Sequence, residues 1–202
     1  MEKNILIEEK EKKNKCNIIE MVKPILVTME DIPQINFLII SFWGKKDIYS
    51  NYFYFEILKK SLSYCYKLNK ELIAVCLTNE DISKNEIEIT LLCVKKEYHH
   101  CGLGKNLLKF CIDNCIKKGY NKFRLHVSTT NEVALKLYKS LGFKRDTFIQ
   151  KYYRNDKPPN QDAFLMKLDI NKSKGFRNIE NNNNFKVVKQ KRLYNNINCL
   201  CE

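Results

Sequence analysis

The stretch His99-His100-Cys101-Gly102-Leu103-Gly104 places two of the chain's six glycines one residue apart, directly before an apolar run at helical spacing. One glycine would serve a tight turn. Two at the mouth of a helix point to a group that must approach the main chain closely. The first amides of a helix have no partner within it, and the helix dipole favours negative charge at that end. With no side chain in the way those N–H groups can curl into a nest, and the arrangement suits a pyrophosphate. The stretch lacks the Gly-Lys-Ser/Thr ending of a Walker loop, and the third glycine and downstream acid of a dinucleotide fingerprint are not in place. A glycine-assisted turn with no ligand is the plain alternative.

The loop must be held by a domain of about 23–170, and the periodicities there are mixed. KPILVTM reads as a short strand. DIPQINFLIISFW and SNYFYFEILKKSL read as two helices, the first with Asp31 as N-cap. SYCYKL and ELIAVCLT follow as strands. EIEITLLCV begins with strict alternation, Glu86, Glu88 and Thr90 on one face against Ile87, Ile89 and Leu91, then turns continuously apolar. That break fits a strand buried on both faces or a bulge. A helix over about 103–118 follows the glycines, with an apolar face of Leu103, Leu107, Leu108, Cys111, Ile112 and Cys115. KFRLHVS is an alternating strand and NEVALKLYKSL a second helix ended by Gly142. FKRDTFIQKYY and DAFLMKLDI close the domain as an antiparallel pair.

Loop and element order together resemble the GNAT acetyltransferase superfamily, whose phosphate loop reads [RQ]-x-x-G-x-[GA]. NEVALKLYKSLGF matches that superfamily's N-x-x-A-x-x-x-Y-x-x-x-G-F segment from Asn131 to Phe143. Within it, LHV, the NEVALKLYKSLGF run and KYYRNDKPPNQDAFLMKL are most similar to N-terminal acetyltransferases of the N-alpha-acetyltransferase 50 type. The resemblance implies an α/β fold, a single GNAT domain with a mixed, mostly antiparallel seven-stranded sheet flanked by about four helices. It implies acetyl-CoA as co-substrate, with the pyrophosphate on the amides of His99, His100, Cys101, Gly102, Leu103, Gly104 and Lys105. The pantetheine arm would run beside Leu92, Cys93 and Val94, the Val94 N–H holding the thioester carbonyl, with Asn131 and Ala134 also at the cofactor. His99 departs from the family's Arg or Gln and lowers the charge at neutral pH, so weaker cofactor binding is expected.

The same resemblance assigns the catalytic groups. His126 stands where the N-alpha-acetyltransferase 50 type has a catalytic histidine. Glu88 occupies the position of a catalytic tyrosine in that type and of a glutamate base in histone-acetylating members. Tyr138, seven residues and two turns after Asn131, would protonate the departing thiolate, a fitting task for a phenol of pKa near 10. Tyr152, Tyr153 and Tyr49 would line the peptide groove. An α-amine of pKa about 7.7–8.0 is roughly 10–15% neutral at pH 7, against about 0.04% for lysine, so a modest base suffices for the former.

The expected activity is therefore acetyl-CoA-dependent transfer to the α-amino group of protein or peptide N-termini, a peptide α-N-acetyltransferase. A lysine or polyamine N-acetyltransferase on the same fold is favoured by Glu88, and a basic ribosome- or RNA-binding module without transferase activity by the net charge of +13. The partners implied are nascent or mature protein N-termini, with a ribosome or an auxiliary acetyltransferase subunit as further candidates. No membrane, specific nucleic acid or metal is expected. Nine cysteines, an odd number without a CxxC pair, after a charged start too polar for a signal peptide, argue against a disulfide framework and for a reducing, cytoplasmic (or nuclear) setting. Residues 1–22 read as a flexible charged extension and 171–202 as a basic, Asn-rich, disordered tail.

Overall fold

The computed structural model describes residues 22–43, 49–60, 62–154, 161–173 and 186–188. The extension read over 1–22 lies, apart from Val22, outside the described residues, as does most of the tail. Strand β1 (Ile25–Leu26) leads to α1 (Ile32–Trp43) and α2 (Asn51–Lys60). Three strands follow, β2 (Tyr64–Leu68), β3 (Glu71–Asp81) and β4 (Glu86–Val94), then α3 (Leu103–Lys117) and β5 (Lys122–Ser128). Helix α4 (Glu132–Ser140) precedes the β6 (Lys144–Ile149) and β7 (Ala163–Asp169) pair. The expected seven strands and four helices are all present, with a short α5 (Ile170–Ser173) and an edge strand β8 (Lys186–Val188) added after them.

The sheet runs β1-β2-β3-β4-β5-β7-β6-β8. Only β4–β5 and β6–β8 pair in parallel; the rest is antiparallel. Strand β1 is much shorter than KPILVTM suggested: only Ile25 and Leu26 pair, with Cys65 and Tyr64. Pro24 before them has no N–H to lengthen the ladder. Nor is Asp31 an N-cap of α1. It ends a 3-10 turn, Met29–Asp31, and its buried carboxylate accepts the Thr28 N–H at 3.0 Å and pairs with Lys67.

Apolar clusters lie on both faces of the sheet. Helices α3 and α4 cover Ile87, Ile89, Leu92, Val94, Phe123, Leu125 and Val127. Helix α1 and Tyr54 of α2 cover Val75, Leu77, Leu91 and Cys93. Strand β4 is buried along its whole length, and it also carries a bulge. The β3–β4 ladder steps from Leu77↔Leu91 to Thr78↔Ile89, leaving Thr90 as an extra residue. Both readings of the broken alternation are therefore correct. Because of the extra residue, Glu86 and Glu88 share a face with Leu91 and Cys93, beneath the α1 side of the sheet.

Five cysteines, Cys65, Cys76, Cys93, Cys111 and Cys115, are free and buried, as small apolar packing requires. Cys101 is disulfide-bonded, in a chain whose cysteine pattern argues against a disulfide framework. Among the described residues no helix is long and apolar enough to cross a membrane.

Candidate active site

The site is built where β4 and β5 part. Their parallel pairing covers Glu86↔Lys122 to Ile89↔Leu125 and stops there, one residue before the Thr90 bulge. Beyond it the backbone of Leu92, Cys93 and Val94 has β3 on one side only. The side chains of all three are packed in the two cores. What these residues offer a ligand is main chain, as a pantetheine arm between the strands would use.

At the end of β4 the chain passes through a 3-10 turn, Lys96–Tyr98, into the glycine loop. His100 and Gly102 both take left-handed conformations, φ 62° and 74°. Gly102 is the N-cap of α3, whose first intrahelical bond runs from the Asn106 N–H to the Gly102 carbonyl at 3.0 Å. The N–H groups of Leu103, Gly104 and Lys105 therefore have no partner within the helix. Gly104 is buried in the first turn. The two left-handed residues and the start of α3 give the loop the form of a nest of the kind that takes phosphate oxygens. The His99 ring has another task. Its Nε2 lies 2.9 Å from the Val94 carbonyl, and the ring stacks at 5.8 Å on Phe42 of α1. Where a longer basic side chain would reach toward the anion, this imidazole ties the loop to the end of β4.

The Asn131 side chain caps α4, its Oδ1 accepting the Ala134 N–H at 3.0 Å. Tyr138 is 1% exposed, packed in the core with Ala134 and Leu137 and edge-on to Phe143 at 5.9 Å.

The polar face of β4 and β5 holds the titratable groups. Glu88, 7% exposed, is not the solvated residue that its alternation suggests. Its Oε2 is 3.2 Å from Arg124 Nη2, and its Oε1 is 3.3 Å from His126 Nδ1. The histidine contact has ion-pair distance but lies off the hydrogen-bond line, and Nδ1 has no other hydrogen-bond partner among the described residues. Burial alone would raise the Glu88 pKa. The His126 contact and charge, with Arg124 behind them, outweigh it and hold the carboxyl below its ordinary value.

Tyr152 stacks flat on His126, centroids 4.4 Å apart and planes 15° off parallel. Tyr153 is edge-on to Tyr152 at 4.9 Å and buried. Two bonds from backbone N–H groups fix that pair, Tyr153 N–H to the Gln161 carbonyl at 2.9 Å and Lys151 N–H to the Asp162 side-chain Oδ1 at 2.8 Å. Tyr49 is buried against Phe53, and its hydroxyl donates to the carbonyl of the bulge residue Thr90 at 3.4 Å. Glu88, His126, Tyr152 and Tyr153 thus converge, while Tyr49 braces the bulge beside them. A cavity of about 730 Å³ opens at the other end of the strands, lined by Lys84, Lys122, Lys144 and Lys167; of Glu86, Glu88, Arg124 and His126 it touches only Glu86, which also pairs with Arg124. Sequence reasoning passed over Arg124 and Glu86. Their one signal was their place on the same alternating faces as His126 and Glu88.

The Acetyltransferase (GNAT) family matches residues 27–143. The chain belongs to the GNAT acetyltransferase family. This GNAT protein is 30% identical to the ribosomal protein bS18-alanine N-acetyltransferase of Escherichia coli (strain K12) over 128 residues, 63% of this chain and 81% of that protein. With the N-alpha-acetyltransferase 30 of Homo sapiens it shares 38% identity over 80 residues, 40% of this chain and 21% of that one. The crystal structure of the Escherichia coli ribosomal-protein-S18-alanine N-acetyltransferase superposes with TM-score 0.65 at 23% identity, over 82% of this chain and 99% of that one. Arabidopsis thaliana Naa50 in complex with the bisubstrate analogue CoA-Ac-MVNAL gives 0.61 at 24%, over 72% and 97%. The co-substrate of this GNAT acetyltransferase is acetyl-CoA, and the chain fits it: the nest over His99–Lys105 suits the pyrophosphate, and the parting of β4 from β5 leaves main chain for the arm.

Proposed function

We propose that this GNAT acetyltransferase acetylates the α-amino group of protein or peptide N-termini. The observation that carries the reading is the pair of Glu88 and His126 on one face beside the parting strands, the carboxylate 3.3 Å from the ring. A carboxyl held below its ordinary pKa is a poor proton acceptor. Glu88 therefore acts as a fixed negative partner, and the imidazole takes the proton. An imidazole is the modest base that an α-amine, already partly neutral at pH 7, requires, and a lysine asks for a stronger one. Glu88 was the feature that favoured a lysine or polyamine acceptor. Its pairing removes that support.

Bound acetyl-CoA supplies the activated acetyl group as a thioester. His126 accepts the proton that the amine sheds as its nitrogen bonds to the acetyl carbon and the carbon–sulfur bond breaks. The Val94 N–H offers the carbonyl oxygen a donor. The Tyr138 hydroxyl gives the departing sulfur its proton. Tyr152 and Tyr153 hold the acceptor peptide, with Tyr49 behind the groove. The relatives include a ribosomal protein bS18-alanine N-acetyltransferase and an N-alpha-acetyltransferase, which supports an N-terminal acceptor; ribosome or auxiliary-subunit association belongs to the same proposal.

The test is thiol release from acetyl-CoA with peptides bearing free N-termini, each matched by an N-blocked peptide containing an internal lysine. Release with the free α-amines alone is the expected result. Release with the blocked lysine peptides overturns the α-amine assignment, and no release with either overturns the transfer itself.

A further inference from the structure

Arg124 lies beside the proposed base without touching the acetyl-transfer path. It precedes His126 by two residues on β5, so the two side chains share a face. Its guanidinium spans two carboxylates of the neighbouring strand: Nη1 is 3.1 Å from Glu86 Oε2, and Nη2 is 3.2 Å from Glu88 Oε2. The three side chains are 26%, 11% and 9% exposed. Glu88 and Arg124 are direct partners in the parallel register, which fixes the fork in place.

The geometry divides the two oxygens of Glu88. Oε2 belongs to Arg124, and only Oε1 remains for His126. A planar fork gives each carboxylate its own nitrogen at a fixed spacing, which a lysine ammonium, a single point of charge, does not. We infer that Arg124 is a positioning residue for the acetyl-transfer base: by tying Oε2 of Glu88 it keeps the charge of Oε1 3.3 Å from His126 Nδ1, and that charge favours the ring proton on Nδ1 and leaves Nε2 to accept one from the amine. The inference rests on the proposed role of His126.

Other charges around the pair do not replace this fork. From β3, Asp81 adds negative potential at Arg124. From β7, Lys167 stands opposite Arg124 in register, but it is paired with Asp146 of β6 at 3.0 Å. Leu165 is the residue opposite His126, and the ring's other neighbour is the Tyr152 phenol. Removing the guanidinium takes a fixed cation from beside the Glu88–His126 pair, and that favours the protonated form of the pair. The acid limb of kcat/KM must then move to higher pH.

The experiment compares Arg124→Gln, Arg124→Lys and His126→Ala in the full chain by two readouts. The first is the pH profile of kcat/KM with a free-N-terminus peptide. The second is the ring-nitrogen NMR of the free protein, where three histidines make assignment direct. The parent should show His126 with the proton on Nδ1. Arg124→Gln should move the acid limb up by about 1 pH unit and shift the His126 tautomer. Arg124→Lys should keep the limb near its parent position while kcat stays below the parent, because the charge returns and the fork does not. If Arg124→Gln fails to fold, the lysine variant with an unchanged tautomer and unchanged kcat overturns the inference by itself. An unmoved limb together with an unmoved tautomer in Arg124→Gln also overturns it. His126→Ala tests the underlying reading separately: loss of about 10²–10⁴ in rate is expected of a general base, and a fully active variant would remove the base role whatever Arg124 does to the ring.

Discussion

Gly102→Ala isolates one quantity, the cost of a left-handed backbone at the mouth of α3. Gly102 has φ 74° and ψ 4°. A Cβ there would find Asn106 Nδ2 at 3.9 Å as its nearest neighbour, an ordinary contact. The substitution therefore brings strain without a clash, about 1–2 kcal/mol for an L-residue held in this region. Restriction of the unfolded chain by the new methyl returns about 0.4–1 kcal/mol, leaving a net cost of roughly 1 kcal/mol. That cost must appear in one of two places. If the loop keeps its shape without cofactor, Tm falls by about 2–4 °C for a chain of this size and the acetyl-CoA affinity is unchanged. If the free loop relaxes and is restored on binding, Tm holds and Kd weakens roughly fivefold. Thermal melts with calorimetric titration of acetyl-CoA read both. Gly119 is the control, because it has φ 96° and nothing within 4 Å of a Cβ, at the far end of the same helix. Gly119→Ala should lower Tm and leave Kd alone. If Gly102→Ala changes neither quantity while Gly119→Ala lowers Tm, the loop is not held left-handed and the phosphate nest is refuted.

Acid should act on the fold through Glu88. Its folded pKa lies below the ordinary 4.5, so the carboxylate stabilises the protein above that pH and the contribution is lost as pH falls through the depressed value. Melts taken from neutrality into the acid range should show a steeper fall for the parent than for Glu88→Gln below about pH 4.5; parallel curves would mean that the ion pairs do not persist in solution. The buried thiols give a further expectation. Burial pushes Cys65 and Cys115 up to about 12 and Cys111 well above its ordinary value, so almost no thiolate exists at neutral pH. Iodoacetamide should leave Cys65, Cys76, Cys93, Cys111 and Cys115 unlabelled in the folded protein and label them after denaturation, as peptide mass spectrometry will show. Native labelling of Cys111 would contradict the packing of α3.

The parts of the site that were legible in the sequence are those encoded locally. The glycine spacing and the apolar face of α3 sit within one stretch, so the loop and its helix could be read from 99–118 alone. The Asn131–Tyr138 helix was equally local, although Asn131 turned out to be its cap. Glu88 was harder. Strict alternation in EIEIT reads as a polar face in water, and nothing near it in sequence says otherwise. The groups that let it be buried, Arg124 and His126, come from a strand some 36 residues later, joined by a parallel crossover. The stacking of Tyr152 on His126 was invisible for the same reason, since it depends on the pairing of β5 with β7. Asp31 shows the opposite failure: a residue type that suits a cap was drawn instead to Lys67 on β2. His99 looked like a weakened anion ligand, and its ring proved to be a brace between the loop and β4.

Thr90 occupies no place in the alternation of β4. Its neighbours Ile89 and Leu91 pair with consecutive residues of β3, so losing it would leave a regular ladder with every flanking side chain on its present face. Architecture does not need this residue; the opening does. With the bulge gone, nothing local would bend β4 at the point where its pairing with β5 ends, and the Tyr49 hydroxyl would lose the carbonyl it braces. The gap between the strands is thus written in the length of the chain rather than in the chemistry of a side chain. A descendant that dropped this single codon would keep a sound domain and lose the parting of the two strands, and one that changed the letter but kept the count would retain both.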